Sequence, residues 1–200
     1  MKLNDFVNKY LGKATEYSTS DAVLTVQCVD LIKLYLKELF GISPKSFAWG
    51  NAKDYFNCFD YKSWAGYDLM HGKGFVKIKN TKAFVPRRGD IAVWGSGQYG
   101  HIAICTGKGD TKSFYSYDQN WSGKEMKMVK HDYSGFLGVL RPPREIKSDV
   151  NIRTGPGISY DIVGEKLKGE TVTVLEFSSN GKWAKIGDNK WISNNYILPL

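Results

Sequence analysis

An α+β domain with an antiparallel sheet, followed by a small all-β barrel, is the architecture this sequence predicts. Three observations predict it. Helical periodicity is confined to roughly the first forty residues, short strand-type runs between Gly-rich turns follow from Gly89, and only strand signal continues beyond the Pro142-Pro143 pair. Helices first and strands later is the ordering of an α+β fold, not of an alternating α/β one.

The first helix is expected over residues 5–11, with Phe6, Val7, Tyr10 and Leu11 on one side and Gly12 as its stop. A stronger one is expected over 26–40. There Cys28, Leu31, Ile32, Tyr35 and Leu39 fall at helical spacing, Asp30, Lys33 and Lys37 face out, and Gly41 supplies the C-terminal stop. Strands are expected at Asp90-Ile91-Ala92-Val93-Trp94 and at 101–105, 113–120 and 135–140. The run Arg141-Pro142-Pro143-Arg144-Glu145-Ile146-Lys147-Ser148 ends regular structure and stiffens the chain, which sets the expected domains at 1–144 and 145–200. Beyond it, strands are expected at 150–153, 162–166, 171–176, 182–186 and 190–197, with Gly155-Pro156-Gly157 and Asn180-Gly181 as turns; five short strands in about fifty residues suggest a small barrel.

Two hundred residues, 42% hydrophobic and 24% charged, read as a globular chain of one domain plus a small module. Lys or Asp interrupts the apolar runs, and none approaches the roughly 18 residues of a membrane span. The start, MKLNDFVNKYLGK, lacks an apolar signal core, so synthesis without a secretory signal is expected. Cys28, Cys58 and Cys105 are odd in number and irregularly spaced, and neither CxxC nor HxxxH occurs, so neither a disulfide framework nor a zinc site is expected. The net charge is +8, yet the stretch from Glu145 onward holds seven basic and seven acidic residues. All the excess therefore lies in the first 144 residues and favours a polyanionic partner: nucleic acid, anionic membrane or anionic cell wall.

Three positions carry chemistry. Cys28 stands near the N-terminus of the stronger helix, where free backbone N–H groups and the dipole favour thiolate over thiol; a buried packing cysteine is the other reading of such a residue. His101 opens a strand straight after Gly100, an edge from which it can enter a cleft as general base, or simply cap the strand. In Ser116-Tyr117-Asp118-Gln119-Asn120, positions 116, 118 and 120 share one strand face. Asp118 or Asn120 can then accept the imidazole N–H as the orienting third member, unless the Asp-Gln-Asn run is a turn satisfying its own backbone.

Four stretches in order, Gln27-Cys28-Val29-Asp30-Leu31, Arg88-Gly89-Asp90-Ile91-Ala92-Val93-Trp94, Gly100-His101-Ile102-Ala103-Ile104 and Asp118-Gln119-Asn120-Trp121, resemble the CHAP family. These are the cysteine, histidine-dependent amidohydrolases/peptidases of bacteriophage endolysins and bacterial autolysins. The closing Gly138-Val139-Leu140-Arg141-Pro142-Pro143 resembles the end of such domains, so the likeness covers about residues 1–144. It implies a papain-like α+β fold and cleavage of peptidoglycan amide bonds through a thioester. By the same resemblance Cys28 is the nucleophile and His101 the base, with Asp118 or Asn120 as orienter, where relatives often have Glu in place of Asp118. The Cys28 N–H with the Gln27 side chain forms the oxyanion hole. Some phage CHAP domains carry an Asp-rich calcium loop shortly before the cysteine. Here Glu16-Tyr17-Ser18-Thr19-Ser20-Asp21 offers two separated carboxylates, too few for calcium, and no metal or other cofactor is expected.

Residues 150–197 resemble a bacterial SH3 (SH3b) domain through Val150-Asn151-Ile152-Arg153-Thr154-Gly155-Pro156-Gly157, Val172-Thr173-Val174-Leu175, Lys182-Trp183-Ala184-Lys185-Ile186 and Lys190-Trp191-Ile192. The resemblance implies cell-wall binding, with Tyr160, Trp183, Trp191 and Tyr196 forming an aromatic groove or, for about half of them, the barrel core. Elsewhere, Cys58 and Cys105 are expected to be buried spectators and His71 and His131 surface residues; Trp49, Asn51 and Trp64 are candidates to line a cleft.

The leading expectation is a phage endolysin that acts on peptidoglycan and anionic wall polymers of a Gram-positive host as amidase or endopeptidase, held in the host cytoplasm until a holin-type lesion releases it. A host autolysin or secretion-associated hydrolase, and a wall-binding protein without catalysis, are the alternatives. Nucleic-acid binding rests on charge alone, with no accompanying motif. Oligomeric state and scissile bond have no signal in the sequence.

Overall fold

The computed structural model describes residues 1–17, 26–44 and 49–200. It divides into two compact units, Met1–Arg141 and Pro142–Leu200, so that Arg144 belongs to the second.

In the first unit, α1 (Leu3–Tyr10) buries Leu3, Phe6 and Val7, residues three and four apart that share one helix face. Helix α2 (Cys28–Phe40) buries Leu31, Ile32, Tyr35 and Leu36. It ends at Gly41 in the left-handed region (φ 66°), where Gly41 N–H bonds Lys37 O and Ile42 N–H bonds Leu36 O, a paired arrangement that satisfies the last carbonyls. Two of its residues expected outside are buried. Asp30 accepts the Gln27 N–H at 2.9 Å, and Lys33 lies 3.7 Å from the Asp30 carboxylate with its ammonium over the Tyr17 ring. Short helices α3 (Asp54–Asn57) and α4 (Tyr67–Gly72) follow, neither long enough to show a period in sequence.

Six strands form one antiparallel sheet: β1 (Val76–Lys79), β2 (Ile91–Trp94), β3 (His101–Gly109), β4 (Phe114–Asp118), β5 (Lys127–His131) and β6 (Phe136–Arg141), in the order β1-β6-β2-β3-β4-β5. Strand β2 is buried on both faces, which is why it reads as an unbroken apolar run. Ala92, Trp94, Ala103, Cys105, Phe114, Phe136 and Val139 form one core cluster. Ile91, Val93, Ile102 and Ile104 alternate to the other face, and α2 packs against β3. Beside them, Arg141 at the end of β6 forms a two-point ion pair with Asp90, both buried, through Nε–Oδ1 at 2.8 Å and Nη2–Oδ2 at 2.7 Å.

In the second unit, β7 (Arg144–Glu145) pairs with β10 (Thr171–Val172). The strands β8 (Val150–Arg153), β9 (Ile162–Lys166), β11 (Glu176–Phe177), β12 (Trp183–Gly187) and β13 (Lys190–Ser193) form a sheet in the order β11-β12-β13-β8-β9. Its core is Ile146, Val172, Val174, Ala184, Ile192 and Ile197. The strand expected over 171–176 is divided, because its first half pairs with β7 and its second with β12. The last strand stops at Ser193, where a 3-10 turn, Asn194–Tyr196, takes over. Among the described residues no helix is long and apolar enough to cross a membrane.

Candidate active site

Cys28 is the first residue of α2, half-buried, and Gln27 is its N-cap. Position 101 follows Gly100, whose φ of 72° and whose Cα, where a Cβ would stand 2.4 Å from Trp94 O, admit only glycine. That turn delivers His101 to the end of β3, where it is 7% exposed. Its Nε2 lies 2.7 Å from Asp118 Oδ2, and the Cys28 side chain is near enough to act on its titration. Since Nε2 is engaged by the carboxylate, Nδ1 is the nitrogen available to sulfur.

Burial opposes the charged imidazole, but the hydrogen bond to Asp118 and the interaction with Cys28 outweigh it and raise the His101 pKa to about 9. Asp118 is 1% exposed. Burial would raise its pKa, yet hydrogen bonds from His101 and His131 hold it below the usual carboxylate value. Ser116 Oγ donates to the other oxygen, Oδ1, at 2.5 Å. The rings of Trp94 and Trp121 lie 5.5 and 4.8 Å from the His101 ring, and Trp121 is half exposed.

The shared face expected for Ser116, Asp118 and Asn120 stops at Asp118, where β4 ends. Asn120 is left-handed (φ 58°) and exposed, and its Nδ2 donates to Gln27 Oε1 at 3.1 Å; among the described residues it is Asp118 that holds the imidazole Nε2. The bond occupies the Gln27 amide oxygen, so the NH2 end of that side chain is the end able to donate to an oxyanion. Between them lies the buried Gln119. Its oxygen accepts from Thr15 N and Oγ1 at 2.8 and 2.6 Å, and its nitrogen donates to Thr15 O and Gln27 O, both at 2.8 Å. One amide thus ties the residue before α2 and Cys28 to the end of β4 and Asp118.

Of the other histidines, expected at the surface, His131 is buried and His71 is half-buried. His131 ends β5, 6% exposed, with Nε2 3.0 Å from Asp118 Oδ2. Its flanks, Lys130 and Asp132, hide it in sequence, because an edge strand sends alternate residues to solvent. His71 sits in α4 between the Phe59 and Tyr67 rings, with Nε2 3.0 Å from Phe59 O. Trp49 and Trp64 are buried in an aromatic cluster with Tyr55, joined by Trp64 Nε1–H to Trp49 O at 3.1 Å, so they are core; Asn51 is exposed, its N–H bonded to Asp54. Burial pushes the thiols of Cys58 and Cys105 up; Cys105 is fully buried and Cys58 half-buried. Part of the segment considered for calcium, residues 18–21, lies outside the described residues, and among those described no group of three His, Cys, Asp or Glu side chains could hold a metal ion.

In the second unit, Ala184 and Ile192 face the core, so Trp183 and Trp191 on the same strands face outward, half-buried. Cross-strand pairing aligns Glu176, Lys185, Trp191 and Arg153 in one row, with the Lys185 ammonium 5.9 Å from the Trp191 ring. Tyr160 and Tyr196 are partly exposed; the Tyr160 ring covers Gly155, and its backbone carbonyl accepts from Arg153 at 2.8 Å. Neither tryptophan belongs to the barrel core.

Residues 148–197 match the bacterial SH3 domain. The chain is 34% identical over 157 residues to endolysin PlyTW of Staphylococcus phage Twort, and 33% identical over 141 residues to endolysin LysK of Staphylococcus phage K. These alignments cover 72% and 64% of this chain but 30% and 26% of the relatives, so the chain spans under a third of their length. The crystal structure of wild-type endolysin LysIME-EF1 superposes with a TM-score of 0.53 at 32% identity, covering 71% of this chain and 64% of that one. The CHAP domain matches residues 17–120, just over half the sequence, and the chain belongs to the CHAP family.

Proposed function

We propose that the chain is a cysteine-dependent peptidoglycan hydrolase of the endolysin type, an amidase or endopeptidase, with Cys28 as nucleophile, His101 as acid and base, and Asp118 as orienter. The observation that supports this reading is the 2.7 Å pairing of His101 with the buried Asp118 carboxylate, with the Cys28 side chain near enough to His101 to help raise its pKa.

The sulfur attacks the carbonyl carbon of a wall amide while His101 holds the proton as imidazolium. The oxyanion formed takes hydrogen bonds from the Cys28 N–H and the Gln27 amide. Collapse breaks the C–N bond, the leaving amine takes the His101 proton, and a thioester remains. Neutral His101 then removes a proton from water, which attacks the thioester; a carboxylate leaves and the thiol is restored.

The second unit holds the enzyme on the wall through the outward aromatics Tyr160, Trp183, Trp191 and Tyr196. The +8 charge of the first 144 residues adds attraction to anionic wall polymers. Delivery in this reading is release from the host cytoplasm through a holin-type lesion.

The test is digestion of purified Gram-positive peptidoglycan, with mass spectrometry of the new termini. Cys28→Ala should release no fragments while the folded protein still sediments with walls. Fragments from the alanine variant at more than trace level would remove Cys28 from its role.

A further inference from the structure

We propose that His131 is a positioning residue of this active site: by donating to the carboxylate oxygen that also holds His101, it fixes Asp118 and through it the catalytic imidazole. The proposal rests on the assignment of Cys28, His101 and Asp118 made above.

The side chain of His131 is 4% exposed, and its Nε2 lies 3.0 Å from Asp118 Oδ2. The same oxygen receives His101 Nε2 at 2.7 Å, while Ser116 Oγ occupies Oδ1 at 2.5 Å. Three donors, from β3, β4 and β5, therefore hold one buried carboxylate. With Ser116 alone as its anchor, the carboxylate could rotate about its Cβ–Cγ bond and carry the imidazole with it. The second donor on Oδ2 closes that freedom and shares the cost of burying the charge.

The His131 ring is itself held. Trp94 and Trp121 lie 4.6 and 4.8 Å from it, and Phe114, its cross-strand partner, 6.0 Å. In the β4–β5 ladder His131 is opposite Phe114 and Asp118 is opposite Lys127, so the two side chains lean along the strands to meet. Packing alone would be met by any flat ring at 131, whereas the contact with Asp118 requires an N–H donor. Displacements of about 1 Å in a catalytic group lower turnover by up to about 10²-fold.

Two substitutions separate the roles. His131→Phe keeps a ring between the tryptophans and removes the donor; His131→Gln keeps an N–H donor and removes the ring. With solubilised peptidoglycan fragments as substrate, the Phe variant should lose roughly 10–100-fold in kcat with KM little changed, and its Cys28 should react more slowly with iodoacetamide at neutral pH. The Gln variant should retain most of both. Wild-type kcat in the Phe variant, or an equal loss in the Gln variant, overturns the proposal. If the Phe variant does not fold, His131→Ala takes its place. Recovery of its rate on adding imidazole supports the proposal, and no recovery overturns it. Cys28→Ala is assayed alongside. An inert Cys28→Ala beside a fully active His131→Phe overturns this inference alone, whereas an active Cys28→Ala overturns the assignment beneath it.

Discussion

Removing Arg141 while leaving Asp90 should unfold the first unit's central corner, and removing the charge of Asp90 as well should restore much of it. Arg141 meets Asp90 at two points, 2.7 and 2.8 Å, with both residues almost wholly buried. The Arg87 N–H also donates to that carboxylate, at 2.8 Å. The corner is shared: Cys105 N–H bonds Asp90 O, Gly89 N–H bonds Cys105 O, and the Tyr35 hydroxyl of α2 donates to Gly89 O. Arg141→Met strands a buried carboxylate, at a cost of about 3–5 kcal/mol, which multiplies the population of the opened state roughly 10²–10⁴-fold at about 1.4 kcal/mol per factor of ten. Asp90→Asn on that background removes the stranded charge yet can still accept from Arg87, and should return about 2 kcal/mol or more. All three cysteines lie in the first unit, so pulsed alkylation of buried Cys105, located by peptide mass spectrometry, reads its opening without interference from the second. A double variant as open as Arg141→Met, or more so, would refute the idea that an unpaired charge is what destabilises the single one.

Two further outcomes concern the site. Asp118→Asn should lower kcat by roughly 10²–10⁴, while Asn120→Ala, whose amide reaches Gln27, should cost less than about tenfold; initial rates in the opposite order would reassign the orienter. Because the folded pKa of His101 is raised from 6.5 to about 9, the stability it contributes is complete below pH 6.5 and is lost as pH climbs through about 9. That contribution is about 3 kcal/mol at about 1.4 kcal/mol per tenfold. Thermal unfolding of wild type and His101→Phe between pH 6 and 10 should show a gap that closes with rising pH, and a constant gap would contradict the pairing.

The sequence revealed the elements whose periodicity is strong and local. Helix α2 announces itself through Leu31, Ile32 and Tyr35, and β2 through its apolar run. Cys28 and His101 stand out as candidates because one lies near a helix start and the other follows Gly100 at a strand start. What was hidden depends on tertiary pairing. Strand β5 sets adjacent Met128 and Val129 between Lys127 and Lys130 at a sheet edge, which puts one apolar residue on each face and leaves no apolar face to betray it, so His131 reads as a surface residue. Asn120 was grouped with Asp118 by strand alternation, but the chain turns left-handed there, as the Asp-Gln-Asn run allowed. Trp49 and Trp64 are candidates for a cleft because they lie in middle loops without a readable period; the contacts that bury them, with Tyr55 and one another, are tertiary.

The amide of Gln119 gives the molecule a point of vulnerability out of proportion to its size. The start of α2, which carries Cys28, is tied to the end of β4 by the bonds one side chain makes to Thr15 and Gln27. The ladder from β6 to β5 can persist when those bonds let go, since no rung of it passes through residue 119. Loss of those bonds would therefore separate Cys28 from Asp118 without a matching loss of sheet, and under the proposed function the rate of wall hydrolysis, not secondary-structure content, would register it.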